Sequence, residues 1–159
     1  MKPSPALEAV AAAGVDHTVV RFEPARDLAE AAERRGTTVD RILKTMVVRT
    51  GEGSYVIVLV PGDRVIDWGA LRDHLGLRRL ALADADQAYD ATGYRRGTIT
   101  PFGVAPALPV VVDAGVVGRG EVSVGAGVPG TAIHLDVDDL IDAVGAVAVS
   151  ITKAAEGPR

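Results

Sequence analysis

The chain has 159 residues, no cysteine, a formal net charge of −4, and a composition that is 48% hydrophobic but only 4% aromatic. That length suits one domain with a core of Ala, Val, Leu and Ile, and the missing thiols exclude disulfide scaffolds and thiolate metal sites. The acidic balance argues against a DNA partner or a general nucleic-acid coat, but it leaves room for recognition of an RNA end in one pocket. No apolar run approaches the roughly 20 residues of a membrane span. The opening Met1 to Pro5 lacks an apolar signal region, so no membrane partner and a cytoplasmic location are expected.

In chain order, Ser4 and Pro5 have the residue types of a helix start, and Leu7, Val10 and Ala11 give the helix one apolar side before Gly14 ends it. Residues 18–22 read as a strand. Asp27 and Glu30 have capping-box spacing for a helix through Arg35, closed by Gly36. Residues 41–49 and 55–60 read as two strands joined by a glycine-containing hairpin loop. The second is apolar on both faces and so is central. A turn at Pro61, Gly62 and Asp63 precedes a helix from Asp67 to about Leu75, stopped by Gly76. A short strand near 79–81 and a helix capped by Asp84 lead into a Gly-rich loop. Strands follow over 108–113, 121–124 and 131–137, then a helix over 138–144 and a last strand over 147–151. The reading is one α/β domain over 1–152, with a mixed, curved or partly closed sheet flanked by helices. A flexible tail is expected over 153–159.

Two stretches carry the chemistry. Residues 92–103 hold three glycines and one proline, too many for a helix or regular strand. Such a loop either presents free backbone amides to a carbonyl oxygen or phosphate, or is an ordinary surface connection. In the strand Ile42 to Val48, alternation places Lys44, Met46 and Val48 on one face. A lysine there either serves a site or reaches solvent along its stem.

Leu43-Lys44-Thr45-Met46-Val47-Val48, Val60-Pro61-Gly62-Asp63, Thr92-Gly93-Tyr94 and Gly97-x-x-x-Pro101-x-Gly103 together resemble the YbaK/ProX family over about 15–151. These are trans-editing aminoacyl-tRNA deacylases, related to the editing domain of bacterial prolyl-tRNA synthetases. The resemblance implies that Lys44 is essential and that a hydroxyl of the terminal ribose helps activate water. Gly97 is the second catalytic candidate, through its backbone amide. Thr45, Tyr94, Thr98, Ile99, Thr100, Pro101, Gly103, Gly125 and Gly127 are expected around the substrate. The expected partners are the acceptor end of an aminoacyl-tRNA and an aminoacyl-tRNA synthetase. The expected substrate is a tRNA for proline carrying alanine or cysteine. The family's pocket wall carries serine or histidine in some relatives, where this chain has Gly125, Ala126 and Pro129, so specificity is open. A non-catalytic binding module using the same pocket is the alternative.

Gly125-x-Gly127-x-x-Gly130 matches the dinucleotide fingerprint by letter, but Pro129 and a strand-type run follow it instead of a helix. His17, His74 and His134 are too scattered for a metal site. His134 either faces the pocket or serves a structural role. Ser54, Ser123 and Ser150 lack a nucleophile-elbow context. The acidic string Asp136, Asp138, Asp139 and Asp142 fits a helix N-terminus better than a calcium loop. Neither a cofactor nor a metal is therefore expected.

Overall fold

Strand β3 (Ser54–Pro61) is buried on both faces from Val56 onward, as its unbroken apolar run requires. The computed structural model that shows this describes residues 4–155. Strand β2 (Leu43–Gly51) pairs with β3 antiparallel along its length, through the expected hairpin. Helix α1 (Pro5–Ala12), strand β1 (Thr18–Arg21) and helix α2 (Leu28–Arg35) precede this hairpin. After it come β4 (Arg64–Ile66), α3 (Trp68–Leu75), β5 (Ala81–Leu82) and α4 (Ala85–Thr92). Beyond the Gly-rich loop lie β6 (Val110–Asp113), β7 (Glu121–Gly125), β8 (Thr131–Asp136), α5 (Val137–Val144), β9 (Val147–Val149) and β10 (Thr152–Ala154).

The expected mixed sheet has the order β5-β2-β3-β6-β9, antiparallel on one side of β3 and parallel on the other. Two smaller sheets, β1-β8-β7 and β10-β4, accompany it, and the sheets stay open. Gly125 ends β7, and Gly127 and Gly130 lie in the connection to antiparallel β8, so the glycine fingerprint leads into a strand and not a helix. One core cluster joins Leu43, Ile57 and Leu59 to Val124, Ile133 and Leu140. The opposite face packs Val48, Val58 and Val60 against Leu71 and Ile151. Met46 packs against this second cluster and pairs with Val58, while Lys44 pairs with Val60, so the alternation expected along β2 holds.

Local chemistry sets most helix ends. Asp67 accepts from the Ala70 amide at 3.1 Å, and Gly76 closes α3 in the left-handed conformation. Asp84 and Gln87 form a full capping box on α4. The box expected at Asp27 is half made: Asp27 accepts from the Glu30 amide, but Glu30 bonds back to Arg26. The tail expectation needs correction, because Lys153 and Ala154 lie in β10, paired with Val65 and Arg64 of β4. The Ala155 amide donates to the Asp63 carbonyl at 3.2 Å, and the rest of that tail, 156–159, lies outside the described residues.

Candidate active site

Strand β2 has a free edge. Ile42, just before it, bridges to Ser123 of β7, and Val48 and Arg49 pair with β5. Between those points, among the described residues, no strand pairs with Leu43 to Val47 on that side. A cleft of about 550 Å³ opens there. Helix α2 contributes Leu28 and Arg35 to its wall, and the start of α4 contributes Asp84, Ala85 and Ala88. The Gly-rich loop contributes Arg96, Gly97 and Ile99, and Gly125 closes the end.

The structure splits the expected site residues into two groups. Lys44, Thr45, Gly97, Ile99 and Gly125 line the cleft. Tyr94, Thr98, Thr100, Pro101, Gly103 and Gly127 are not among its lining residues, and they hold the loop from behind. Tyr94 is 4% exposed, and its hydroxyl donates to the Phe102 carbonyl at 2.6 Å. Burial pushes the Tyr94 phenol up to about 12. Its ring lies so close to Gly127 that a Cβ there would come within 2.6 Å of it, and a Cβ on Gly103 would come as close to the Tyr94 hydroxyl. The Thr98 hydroxyl donates to the Arg95 carbonyl at 2.7 Å, and Thr100 is fully buried. Pro101 and Gly103 border a smaller cavity of about 210 Å³ behind the loop.

The front of the loop differs. Gly97 has φ +88°, and a Cβ built on it would meet nothing within 4 Å. The backbone angle, not crowding, therefore demands glycine there, and the open side is cleft space. The Thr98 amide is spent on Arg95, and the Thr98 carbonyl accepts from Gly127 at 2.9 Å. Among the described residues the amides of Gly97 and Ile99 donate to no protein acceptor. Gly125 allows the loop to come this close, since a Cβ on it would sit 2.6 Å from the Ile99 carbonyl oxygen.

Lys44 borders the cleft, and its half-buried ammonium donates to the Arg64 carbonyl at 2.8 Å. Burial lowers its pKa, and the nearby Asp63 carboxylate opposes that shift. An ammonium has three donors, so one bond leaves two. Its neighbour Thr45 faces the other way, and its hydroxyl is buried without a partner.

Two further cations reach the cleft, each from an arginine pair, Arg34-Arg35 and Arg95-Arg96. Arg34 does stay at the surface, paired with Glu30 at 2.9 Å. Arg35 turns inward: its Nη1 donates to Ser123 Oγ at 3.2 Å and its guanidinium stacks 4.9 Å from the Phe22 ring centroid. Its Nε is buried without a partner, and burial lowers its pKa. Arg95 and Arg96 divide similarly, with Arg96 in the cleft. Helical phase was the signal for Arg35, since it lies four residues after Ala31, a core residue. The lining sets three cations, Arg35, Lys44 and Arg96, against one carboxylate, Asp84, which caps α4, so the cleft carries a cationic excess.

His134 is not among the lining residues. It is 7% exposed, with Nδ1 3.5 Å from a Glu121 carboxylate oxygen and Nε2 buried without a partner. Burial is the largest influence and lowers its pKa. No serine, cysteine or histidine lines the cleft. Among the described residues there is no cluster of three metal-ligating side chains, and no helix is long and apolar enough to cross a membrane.

The cleft thus combines three cations with a glycine loop whose amides at Gly97 and Ile99 donate to no protein acceptor among the described residues. The sequence model of the aminoacyl-tRNA editing domain matches residues 22–143, and the chain belongs to that family. The YbaK/ProX resemblance is thereby borne out. Among relatives, a proline–tRNA ligase of Trichlorobacter lovleyi is 31% identical over 109 residues, covering 69% of this chain but only 19% of the ligase. The prolyl-tRNA editing protein ProX of Acetoanaerobium sticklandii is 27% identical over 131 residues, 79% of this chain and 80% of that protein. A crystal structure of a proposed trans-editing enzyme for prolyl tRNA synthetase superposes with a TM-score of 0.85 at 26% identity, covering 94% of this chain and 96% of that one.

Proposed function

We propose that the cleft hydrolyses the ester joining an amino acid to the acceptor end of a mischarged tRNA. The observation that carries this is the pair of undonated amides at Gly97 and Ile99 on the wall of a cleft lined by Arg35, Lys44 and Arg96. Backbone donors held in place stabilise an oxyanion without reorganisation. The cations suit the phosphate of the terminal nucleotide. The lining holds no serine, cysteine or histidine, the Thr45 hydroxyl faces away and Asp84 is bonded to the Gln87 amide, so the attacking group in this reading is water. Its oxygen bonds to the ester carbonyl carbon, the ester C–O bond breaks, and a proton passes to the departing ribose oxygen. The family resemblance supplies a ribose hydroxyl as the group that positions water. Lys44 holds the substrate phosphate or ribose; as a general base it would need a far lower pKa.

Relatives named for proline systems support a tRNA for proline as substrate, and alanine or cysteine are the amino acids that the family resemblance implies. An activity on charged tRNA implies a cytoplasmic location, with a synthetase as a further partner. A second reading, a binding module without turnover, is favoured by one observation: Lys44 donates to the Arg64 carbonyl instead of presenting its ammonium free. Deacylation of a panel of mischarged tRNAs separates the two. Release from Ala- or Cys-charged tRNA for proline is expected, with Pro-charged tRNA spared. Tight binding with no release from any member assigns the module.

A further inference from the structure

We infer that Tyr89 and Arg95, beside the cleft, form a stacking platform for the base preceding the terminal nucleotide of a single-stranded RNA acceptor end. The inference rests on reading the cleft as an aminoacyl-tRNA ester site. Tyr89 lies one turn beyond Ala85 on α4, and residues four apart share a helix side, with the side chain leaning back toward the earlier turn. Ala85 and Ala88 line the cleft, so the Tyr89 ring flanks its opening. The ring is 42% exposed and belongs to none of the core clusters.

The Arg95 guanidinium lies 4.6 Å from the Tyr89 ring centroid. Two planar groups are thus stacked before any ligand arrives. Aromatic rings and guanidinium planes are the surfaces on which unpaired RNA bases stack. The next residue, Arg96, lines the cleft, so a strand leaving it passes a cation at the first phosphate. Leu82, a cleft residue that is 48% exposed, adds apolar surface at the opening. A volume near 550 Å³ is that of a pocket enclosing one small ligand. The preceding nucleotide therefore lies outside, where the platform stands. In a chain of net charge −4, this local pairing of cations with an exposed ring is the feature suited to RNA.

The test compares the parent, Tyr89→Ala and Tyr89→Phe on a mischarged tRNA and on the same amino acid esterified to adenosine alone. Loss of one stacked base costs roughly 5- to 150-fold. Tyr89→Ala is expected to raise KM for the tRNA about tenfold with kcat retained, and Tyr89→Phe to stay near the parent. The loss on the adenosine ester should be smaller by about the same factor. An unchanged KM for the tRNA overturns the platform. So does an equal loss on both substrates, which makes the ring a support of the cleft. Binding of a labelled RNA hairpin with an intact end, against one abasic at the penultimate position, reads the platform without turnover. Discrimination by the parent that is lost in Tyr89→Ala sustains it even if no charged tRNA is hydrolysed, in which case only the deacylase reading falls. No discrimination by the parent overturns it. Loss of synthetase association in Tyr89→Ala, with RNA binding unchanged, assigns the patch to a protein and also overturns it.

Discussion

The front and back of the loop over 92–103 are built on opposite rules. At the back, Tyr94, Phe102 and Thr100 are buried, the Tyr94 hydroxyl is satisfied, and Gly103 and Gly127 leave room for neighbouring atoms. At the front, Gly97 is exposed, nothing lies where its side chain would be, and two amides are unspent. The glycines look alike in sequence but answer different needs. The packed rear face holds the loop's shape without using the front amides, which donate to no protein acceptor among the described residues. A donor on a fixed loop needs no reorganisation when a ligand takes the place of its water.

Substitutions on the two faces should therefore separate function from stability. The largest effect is expected on the facing wall. Lys44→Ala should lower deacylation about 1000-fold or more with an unchanged circular dichroism spectrum, on the scale of losing a fixed electrostatic contact. Gly97→Ala at the front should cost about 100- to 1000-fold in kcat, with only about 1 kcal/mol of backbone strain. A normal rate with a lowered Tm would show that the front is only a turn. Gly127→Ala at the back should do the reverse. Its Cβ would meet the Tyr94 ring at 2.6 Å from a positive φ, for on the order of 3 kcal/mol and about 10 °C in Tm. The folded fraction should keep a rate within a few-fold of the parent. Arg35→Ala should raise KM about tenfold while leaving kcat near its parent value, as expected for a charged hydrogen bond that holds substrate.

The smallest effect is in pH. Burial holds the Lys44 pKa below the ordinary lysine range, so the unfolded chain binds that proton more tightly than the folded one. Between the two values stability rises with pH as the buried charge is lost. Substrate affinity moves the other way across the same window, because a neutral amine no longer holds an anion. KM measured toward alkaline pH should rise earlier than an ordinary lysine would dictate, and the rise should vanish in Lys44→Arg.

Elements framed by local signals were legible from the sequence. Asp67 with Gly76, and Asp84 at the start of α4, declare helix ends through contacts within one turn. The face shared by Lys44, Met46 and Val48 followed from strand geometry alone. Strand β4 was missed because three residues, Arg64–Ile66, become a strand only by pairing with Thr152–Ala154, far away in sequence. The division of the loop residues into liners and supports was also out of reach. Tyr94 and Gly97 differ in which way they point, which depends on packing against Pro5, Phe102 and Gly127. Arg35 gave no sign of its role, because a cation in a helix's last turn complements the dipole wherever it points.

The pairing of β10 with β4 has a practical side for anyone preparing this protein. The Arg64 side chain donates to Thr152 Oγ1 at 2.7 Å and to the Thr152 carbonyl at 3.1 Å, while the Arg64 carbonyl receives Lys44. Strand β10 thus reaches the cleft through a single intermediate residue. A chain trimmed after Ile151 would free Arg64 and, with it, the resting position of the Lys44 ammonium.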